Sequence, residues 1–384
     1  MRGPETLGPR LDRARRIAFV LGAVSLILFV MVGLRDPTQF FRSYLLGYLY
    51  WIGLPLGSVA ILMMHHLAGG GWGYIIRRPL EAAGRTVPVM AVLFLPMFFG
   101  FPRIYSWAQP GAVASDPVLQ AKHWYLSSQS FVIRAVLYFA LWFVLSYFLS
   151  KWSTEQDQSG DPKLSKKLEG LSGPGLVIYG LTVTFMSIDW AMSLEPHWFS
   201  TIYGMLFMVV QALSAMAFLI VILVWLSDTA PMGNAITPQK FNDLGNLTLT
   251  FVMLWAYLSF SQFLIIWAGN LQREIPWYTV RATGRWAGIA LFLIVFHFAV
   301  PFFLLLMRAV KRNVPYLGTI AVILLVMGLV DVFWLVTPAF SREGPNPHWM
   351  DLLATIGIGG IWVAAYLTQL KARPLLPLHD PQYE

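Results

Sequence analysis

Cysteine is absent from this chain of 384 residues, and charged side chains are scarce. Without cysteine the chain itself cannot ligate an iron–sulfur cluster through thiolates, attach haem covalently or form a disulfide. Charged residues make up 12% of the sequence and hydrophobic residues 57%. A soluble domain carries roughly 25% charge, so the composition indicates a polytopic membrane protein and leaves no room for a large soluble domain.

Ten apolar windows are long enough to cross a bilayer, which takes roughly 20 apolar residues. We number the predicted transmembrane helices 1 to 10 and place them at about residues 17–34, 45–68, 87–108, 129–150, 172–193, 199–226, 243–268, 284–308, 315–337 and 348–370. The basic start from Arg2 to Arg16 resembles that of a signal peptide, but no cleavage site of the usual kind follows. We interpret helix 1 as retained.

Two polar segments between these windows are predicted to be loops. Residues 151–171 form the most polar stretch and predict a solvated loop. Arg77, Arg78, Glu81 and Arg85 predict a short basic loop at the lipid headgroups.

The distribution of positive charge predicts the orientation of the chain. The side that holds both termini carries 18 of the 27 Lys and Arg residues, which predicts cytoplasmic termini and a bacterial inner-membrane location. The net charge of +8 is explained by this topology and by contact with anionic lipids. We expect no nucleic-acid partner.

One series of signals occurs twice in the same order. Trp-Tyr, Arg, Asp and Pro-His-Trp stand at Trp124, Arg134, Asp189 and Pro196, and again at Trp277, Arg285, Asp331 and Pro347. The repeat predicts an all-α protein with two tandem four-helix bundles, helices 2 to 5 and helices 6 to 9, flanked by helices 1 and 10. The corresponding segments are 1–44, 45–198, 199–347 and 348–384.

Asp189 is the first candidate for a functional side chain, because an acid at the edge of hydrocarbon is costly unless it pairs, faces a cavity or stays protonated. Arg134 lies near the same end of the neighbouring helix, so an Asp189–Arg134 pair is the structural interpretation and a role in proton transfer the functional one. Asp331 and Arg285 have the same two interpretations. All four are candidates for a proton path.

Three histidines extend the set of candidates. His197, with Asp189 and Glu195 nearby in sequence, is a candidate quinone site, because imidazole and carboxyl can accept the protons released by quinol oxidation. His297 lies near the middle of helix 8 and is a candidate for proton relay. His65 adjoins a second histidine, and the two rings point about 100° apart on a helix, so we assign no haem and no metal site.

Two motifs carry a resemblance to a known family. They are HHLAGGGWG at 65–73, followed by RR at 77–78 and EAA at 81–83, and IDWAMSLEPHW at 188–198. Together they resemble the NrfD-like family, which includes the membrane subunit of polysulfide reductase and the large membrane subunits of bacterial alternative complex III. The resemblance is to the second of those large subunits and extends over nearly the whole chain.

The resemblance implies a subunit of a respiratory quinol:electron-acceptor oxidoreductase that has no redox cofactor of its own. Haem c would belong to cytochrome c subunits and the iron–sulfur clusters to a periplasmic iron–sulfur subunit. A related NrfD-like membrane subunit would be another partner, and the resemblance also allows a terminal oxidase. Menaquinone or ubiquinone would be the substrate. This chain would provide proton pathways. Two other functions stay open, a secondary transporter and a purely structural membrane anchor.

Overall fold

The computed structural model describes residues 7–379 and is 83% helical, with no β-strand in that range. Ten helices are long and apolar enough to cross a membrane, namely Leu7–Gly33, Pro37–Ala68, Gly71–Phe99, Ser128–Ser159, Lys163–Leu194, Tyr203–Leu226, Pro238–Gly269, Gly284–Leu306, Val314–Ala339 and Trp349–Lys371. They keep the numbers 1 to 10. The predicted all-α polytopic membrane protein is confirmed. Arg2 and the last residues of the predicted tail lie outside the described range.

The predicted loop at 151–171 is wrong. Helix 4 continues to Ser159 and helix 5 begins at Lys163, so three residues connect them. Gly160 ends helix 4 with a φ of 63°, a conformation that glycine adopts without strain. Lys, Gln and Glu favour helices. The polar end of a helix that extends beyond the hydrocarbon therefore has the same composition as a solvated loop, and composition alone does not distinguish the two.

The predicted basic loop after helix 2 is also wrong. A tight turn does occur, because Gly69 and Gly70 have φ values of 65° and 100°. The chain then begins helix 3 at Gly71, and Arg77 and Arg78 are buried there. Their charges are balanced inside the protein rather than at the headgroups.

Helices 2 and 6 form the centre of the molecule. Of their most apolar stretches, 94% and 83% of the residues are buried, against 17% in helix 1. The two helices meet at Gly57, where an added Cβ would lie 2.2 Å from the carbonyl oxygen of Gln211. Helices 2, 5 and 6 pack on one another, at the junction between the two predicted bundles.

Helices 1 and 10 lie side by side against this body. They pack along each other with glycine against glycine, since a Cβ on Gly360 would lie 2.5 Å from the Cα of Gly22. Helix 10 also packs on helix 2. Lys371 at the end of helix 10 pairs with Asp12 at the start of helix 1. We call this end of the molecule the terminus face and the other end the opposite face.

Candidate functional site

Asp189 lies near the opposite face in a bidentate ion pair. Its two carboxylate oxygens accept hydrogen bonds from Arg134 Nε and Nη2, each at 2.9 Å, and Tyr138 donates a third at 2.7 Å. The Asp189 side chain is 1% exposed and that of Arg134 is 18% exposed. The guanidinium also lies 3.8 Å from the ring centroid of Tyr125. The predicted Asp189–Arg134 pair is confirmed, and it satisfies a charge that would otherwise be costly.

The other two residues of the predicted quinone site bind elsewhere. His197 Nε2 lies 2.7 Å from Asp116 Oδ2, and its side chain is 62% exposed. Glu195 accepts a 2.7 Å hydrogen bond from Arg281. Asp189, Glu195 and His197 therefore have three different partners, and the structure does not bring their side chains together on one ligand. A quinone site there stays a prediction.

Asp116 links the His197 segment to the loop between helices 3 and 4. It caps the short helix Pro117–Lys122 by accepting hydrogen bonds from the amides of Val118 and Leu119. Partial desolvation raises the pKa of Asp116, but these bonds and the His197 ring together lower it by more, so the pKa lies below its ordinary value.

Arg281 is a buried cation that the sequence analysis missed. It lies on the short helix Ile275–Ala282, and its Nη2 donates to Glu195 Oε2 at 2.7 Å and to the Leu335 carbonyl at 2.9 Å. Its guanidinium stands 3.9 Å from the ring centroid of Trp277. The spacing Trp277 to Arg281 could have indicated this, because residues four apart on a helix face each other.

Arg285 does not occupy the position that the repeat assigns to it. It is exposed at the start of helix 8, and no acid in the range 7–379 pairs with it. The predicted Asp331–Arg285 pair is wrong. In the second bundle the arginine that stacks on the Trp-Tyr motif and binds an acid is Arg281, and its acid is Glu195 of the preceding segment.

Asp331 is buried without a cation. Its side chain lies on helix 9, the residue is 3% exposed, and its Oδ2 accepts a 3.1 Å hydrogen bond from Trp255 Nε1 on helix 7. No Lys, Arg or His of residues 7–379 forms an ion pair with it. An ionised carboxylate in such a place is costly, which distinguishes Asp331 from Asp189.

His297 stacks on the ring of Trp255, the residue that donates the hydrogen bond to Asp331. Its ring lies on that of Trp255 with centroids 4.5 Å apart and planes 30° apart. His297 is fully buried, and neither ring nitrogen has a hydrogen-bond partner among the described residues. Buried polar atoms in native proteins nearly always have a partner, often ordered water. Trp255 thus contacts both Asp331 and His297, two of the predicted proton-path residues.

The backbone around His297 departs from the α-helix. Residues Ile294–Ala299 form a π-helical turn, in which the Val300 amide donates to the carbonyl of Val295. Pro301 follows, and its ring has no amide hydrogen for the His297 carbonyl four residues earlier. Such single-turn π-bulges are frequent at functional sites.

Three other polar side chains inside the helices accept hydrogen bonds from neighbouring elements, as expected for interhelical contacts. Gln211 accepts a hydrogen bond from Tyr179 at 3.0 Å, Asn246 accepts one from Lys311 at 2.6 Å, and Gln262 accepts one from Ser200 at 2.9 Å. Unlike Asp189 and Glu195, Asp331 has no arginine as its partner among the described residues.

A second polar cluster lies at the terminus face. Glu81 binds Arg77 and Arg78 at 3.2 and 2.6 Å and accepts a hydrogen bond from Ser153, while Arg78 also contacts Asp157. This cluster joins helix 3 to the end of helix 4. It explains how the arginines that were predicted at the headgroups are accommodated in the interior.

Within residues 7–379, no group of three or more His, Asp or Glu side chains has the arrangement to hold a metal ion. No family model matches the chain, and no curated protein matches it either.

Proposed function

We propose that this chain conducts protons through its second bundle, as the integral membrane subunit of a quinol:electron-acceptor oxidoreductase of the alternative complex III type. The single observation that carries the proposal is the group formed by Asp331, Trp255 and His297. It places an acid without a counterion at the N–H edge of one indole and an unpartnered imidazole on the face of the same ring.

The chemistry of the group suits a proton path. A carboxyl and an imidazole are the side chains that take up and release protons most readily near neutral pH once burial and neighbours act on them. Intramembrane acids and histidines recur in proton relays. Trp255 can donate a hydrogen bond but cannot accept one through nitrogen, so we assign it the positioning of Asp331 and assign the proton to Asp331 and His297.

The respiratory assembly is proposed from the two sequence motifs that resemble the NrfD-like family. Electrons would pass through partners that carry haem c and iron–sulfur clusters, and menaquinone or ubiquinone would be the quinol. The bacterial inner membrane and cytoplasmic termini are proposed from the excess of Lys and Arg at the terminus face.

Asp189 has a different role in this proposal. Both oxygens of the Asp189 carboxyl are already bound by a guanidinium and a tyrosine hydroxyl, a geometry that fixes the side chain in place. We assign the Asp189–Arg134 pair to holding helix 4 against helix 5. This pair is the observation that favours the second candidate function, a membrane anchor for redox partners.

The test is a comparison of two matched substitutions in the complete assembly purified from native membranes. Haem and iron–sulfur absorbance must first copurify with the chain. We then expect Asp331→Asn to lower the number of protons released per quinol oxidised while the assembly stays intact. Asp36→Asn is the control, because Asp36 caps helix 2 outside the bundle core and asparagine caps equally well.

Three outcomes would count against the proposal. Unchanged proton release in Asp331→Asn would leave the chain as an anchor. Solute uptake by the purified chain in vesicles, without partners, would make it a transporter. Failure of redox partners to copurify would remove the respiratory assignment and leave the proton path to be tested on the chain alone.

A further inference from the structure

A groove of about 420 Å³ opens along helix 4 near the terminus face. Its walls come from the middle of helix 3, the second half of helix 4 and the chain at the end of helix 10. It lies on the other half of the molecule from Asp331 and His297, so it plays no part in the proton path proposed above.

Arg85 supplies the first basic group of the groove. Its Nη2 donates to the backbone carbonyl of Gln369, a neutral acceptor. Its Nε and Nη1 are buried and have no hydrogen-bond partner among residues 7–379. No acid in that range lies within ion-pair distance of Arg85. These two nitrogens, Nε and Nη1, carry three N–H donors. Such donors normally bind an oxygen when they are withdrawn from water, so Arg85 has room for an acceptor at this edge of the groove.

Arg373 supplies the second basic group. Its Nη1 donates to the Ser150 carbonyl at 2.9 Å, and the nearest acid, Glu81, is 3.8 Å away. Glu81 already binds two other arginines at shorter distances. At the mouth, Lys151 and Glu155 stand 3.9 Å apart and offset each other. The groove is left with two guanidinium groups and too little negative charge to balance them.

The polarity of the groove changes along helix 4. Phe143 and Tyr147 are 47% and 48% exposed and form its apolar part. Lys151 and Glu155 follow at steps of four residues on the same face of the helix and form its polar part. This order matches the passage from hydrocarbon to headgroup at a bilayer surface, where a tyrosine commonly stands.

We propose that the groove binds an anionic glycerophospholipid, with its phosphate on Arg85 and Arg373 and an acyl chain along Phe143 and Tyr147. Guanidinium groups bind phosphate oxygens in pairs, and basic pockets between transmembrane helices bind such headgroups. A free phosphate ion would use the basic end alone, and the apolar half of the groove favours the lipid.

The experiment measures thermal unfolding of the purified full-length chain in neutral detergent. Dioleoyl phosphatidylglycerol is titrated, with dioleoyl phosphatidylcholine and inorganic phosphate as separate arms, and apparent affinities are taken from the unfolding midpoints. We expect the anionic lipid to bind at least ten-fold more tightly than phosphatidylcholine. Arg85→Gln and Arg373→Gln should each weaken it roughly five-fold, since one arginine at a membrane surface contributes about that factor.

The control is Arg308→Gln, which removes an exposed arginine from the same face away from the groove. It should leave the affinity unchanged. Should Arg85→Gln fold poorly, the comparison of Arg373→Gln with Arg373→Lys tests the same site. Only Arg373→Gln removes the positive charge, so it should weaken lipid binding more than Arg373→Lys does. Equal binding of the two lipids, equal protection by inorganic phosphate, or full affinity in the Arg373→Gln variant would each overturn the proposal.

Discussion

Arg281 of the second bundle donates a 2.7 Å hydrogen bond to Glu195, which follows the last helix of the first bundle. The Arg281 side chain is fully buried and that of Glu195 is 15% exposed. The contact therefore joins the two halves of the repeat through one charge pair. A guanidinium keeps its proton inside proteins, so Arg281 depends on Glu195 for its counterion.

We expect Glu195→Ala to destabilise the folded chain by about 3–5 kcal/mol, because it leaves a buried cation without its partner. Arg281→Met should have a smaller effect, since Glu195 is nearer to solvent and can be hydrated. Denaturant unfolding of the purified chain gives both values. The double variant should fall short of the sum of the two. Glu343→Ala, at an exposed acid, is the control, and additive effects would contradict a direct coupling.

The Asp189–Arg134 pair should behave as a structural contact. Arg134→Met leaves a carboxylate with 1% exposure and is expected to destabilise the chain by about 3–5 kcal/mol. Tyr138→Phe removes one hydrogen bond to the same carboxylate and should destabilise it by about 1.5–3 kcal/mol. Thermal unfolding tests both. The assembly that contains Tyr138→Phe should release as many protons per quinol oxidised as the parent assembly. A loss of proton release without a loss of quinol oxidation would return Asp189 to the proton path.

Trp255→Phe tests the link between Trp255 and Asp331. The phenyl ring can still stack on His297, but it cannot donate the 3.1 Å hydrogen bond. We expect a protonated Asp331 carboxyl to show a carbonyl stretching band in the infrared spectrum, absent in Asp331→Asn and shifted to higher frequency in Trp255→Phe. Trp267→Phe, at an exposed tryptophan of the same helix, should leave the band in place. A spectrum without any band assignable to Asp331 would contradict a neutral acid.

The number of membrane-spanning helices and the Asp189–Arg134 pair could be predicted because both depend on short stretches of sequence. A window of twenty apolar residues has few alternatives to a membrane span. A lone acid beside a lone arginine at the same depth has few other partners. The fold class could therefore be predicted from the sequence, and so could one of the two proposed ion pairs, Asp189–Arg134.

The remaining contacts depend on packing that no short stretch encodes. Arg281 was missed because the repeat pointed to Arg285, four residues later, and because its acid lies 86 residues earlier in the chain. The Trp255 contact with Asp331 and His297 joins three helices. The buried position of Arg77 and Arg78 follows from helix 3 beginning before its apolar window, which composition cannot reveal.

The Asp116–His197 contact should weaken in acid. The pKa of Asp116 is lower in the folded chain than its ordinary value of 3.8, so its carboxylate stabilises the folded loop at pH above that value, and the contribution is lost as the pH falls through the folded pKa. Hydrogen exchange of the Val118 and Leu119 amides, corrected for intrinsic rates, should show protection that declines below about pH 4. In Asp116→Asn the protection should not depend on pH. A decline in that variant as well would assign the effect to another group.

Gly57 tests the interface between the two bundles. A methyl group at this position would lie 2.2 Å from the carbonyl oxygen of Gln211 and 2.6 Å from its carbonyl carbon, so helices 2 and 6 must separate to accept it. Backbone atoms cannot swing aside as a side chain can, and we expect Gly57→Ala to destabilise the chain by more than about 3 kcal/mol.

Gly170→Ala is the matched control for that substitution. Gly170 lies within helix 5, is not followed by a proline, and has nothing within 4 Å of an added Cβ, so alanine should stabilise the helix by roughly 0.5–1 kcal/mol. The two variants differ by the same methyl group, and thermal unfolding should shift their midpoints in opposite directions. A Gly57→Ala variant as stable as the parent would show that helices 2 and 6 do not approach each other closely in the membrane.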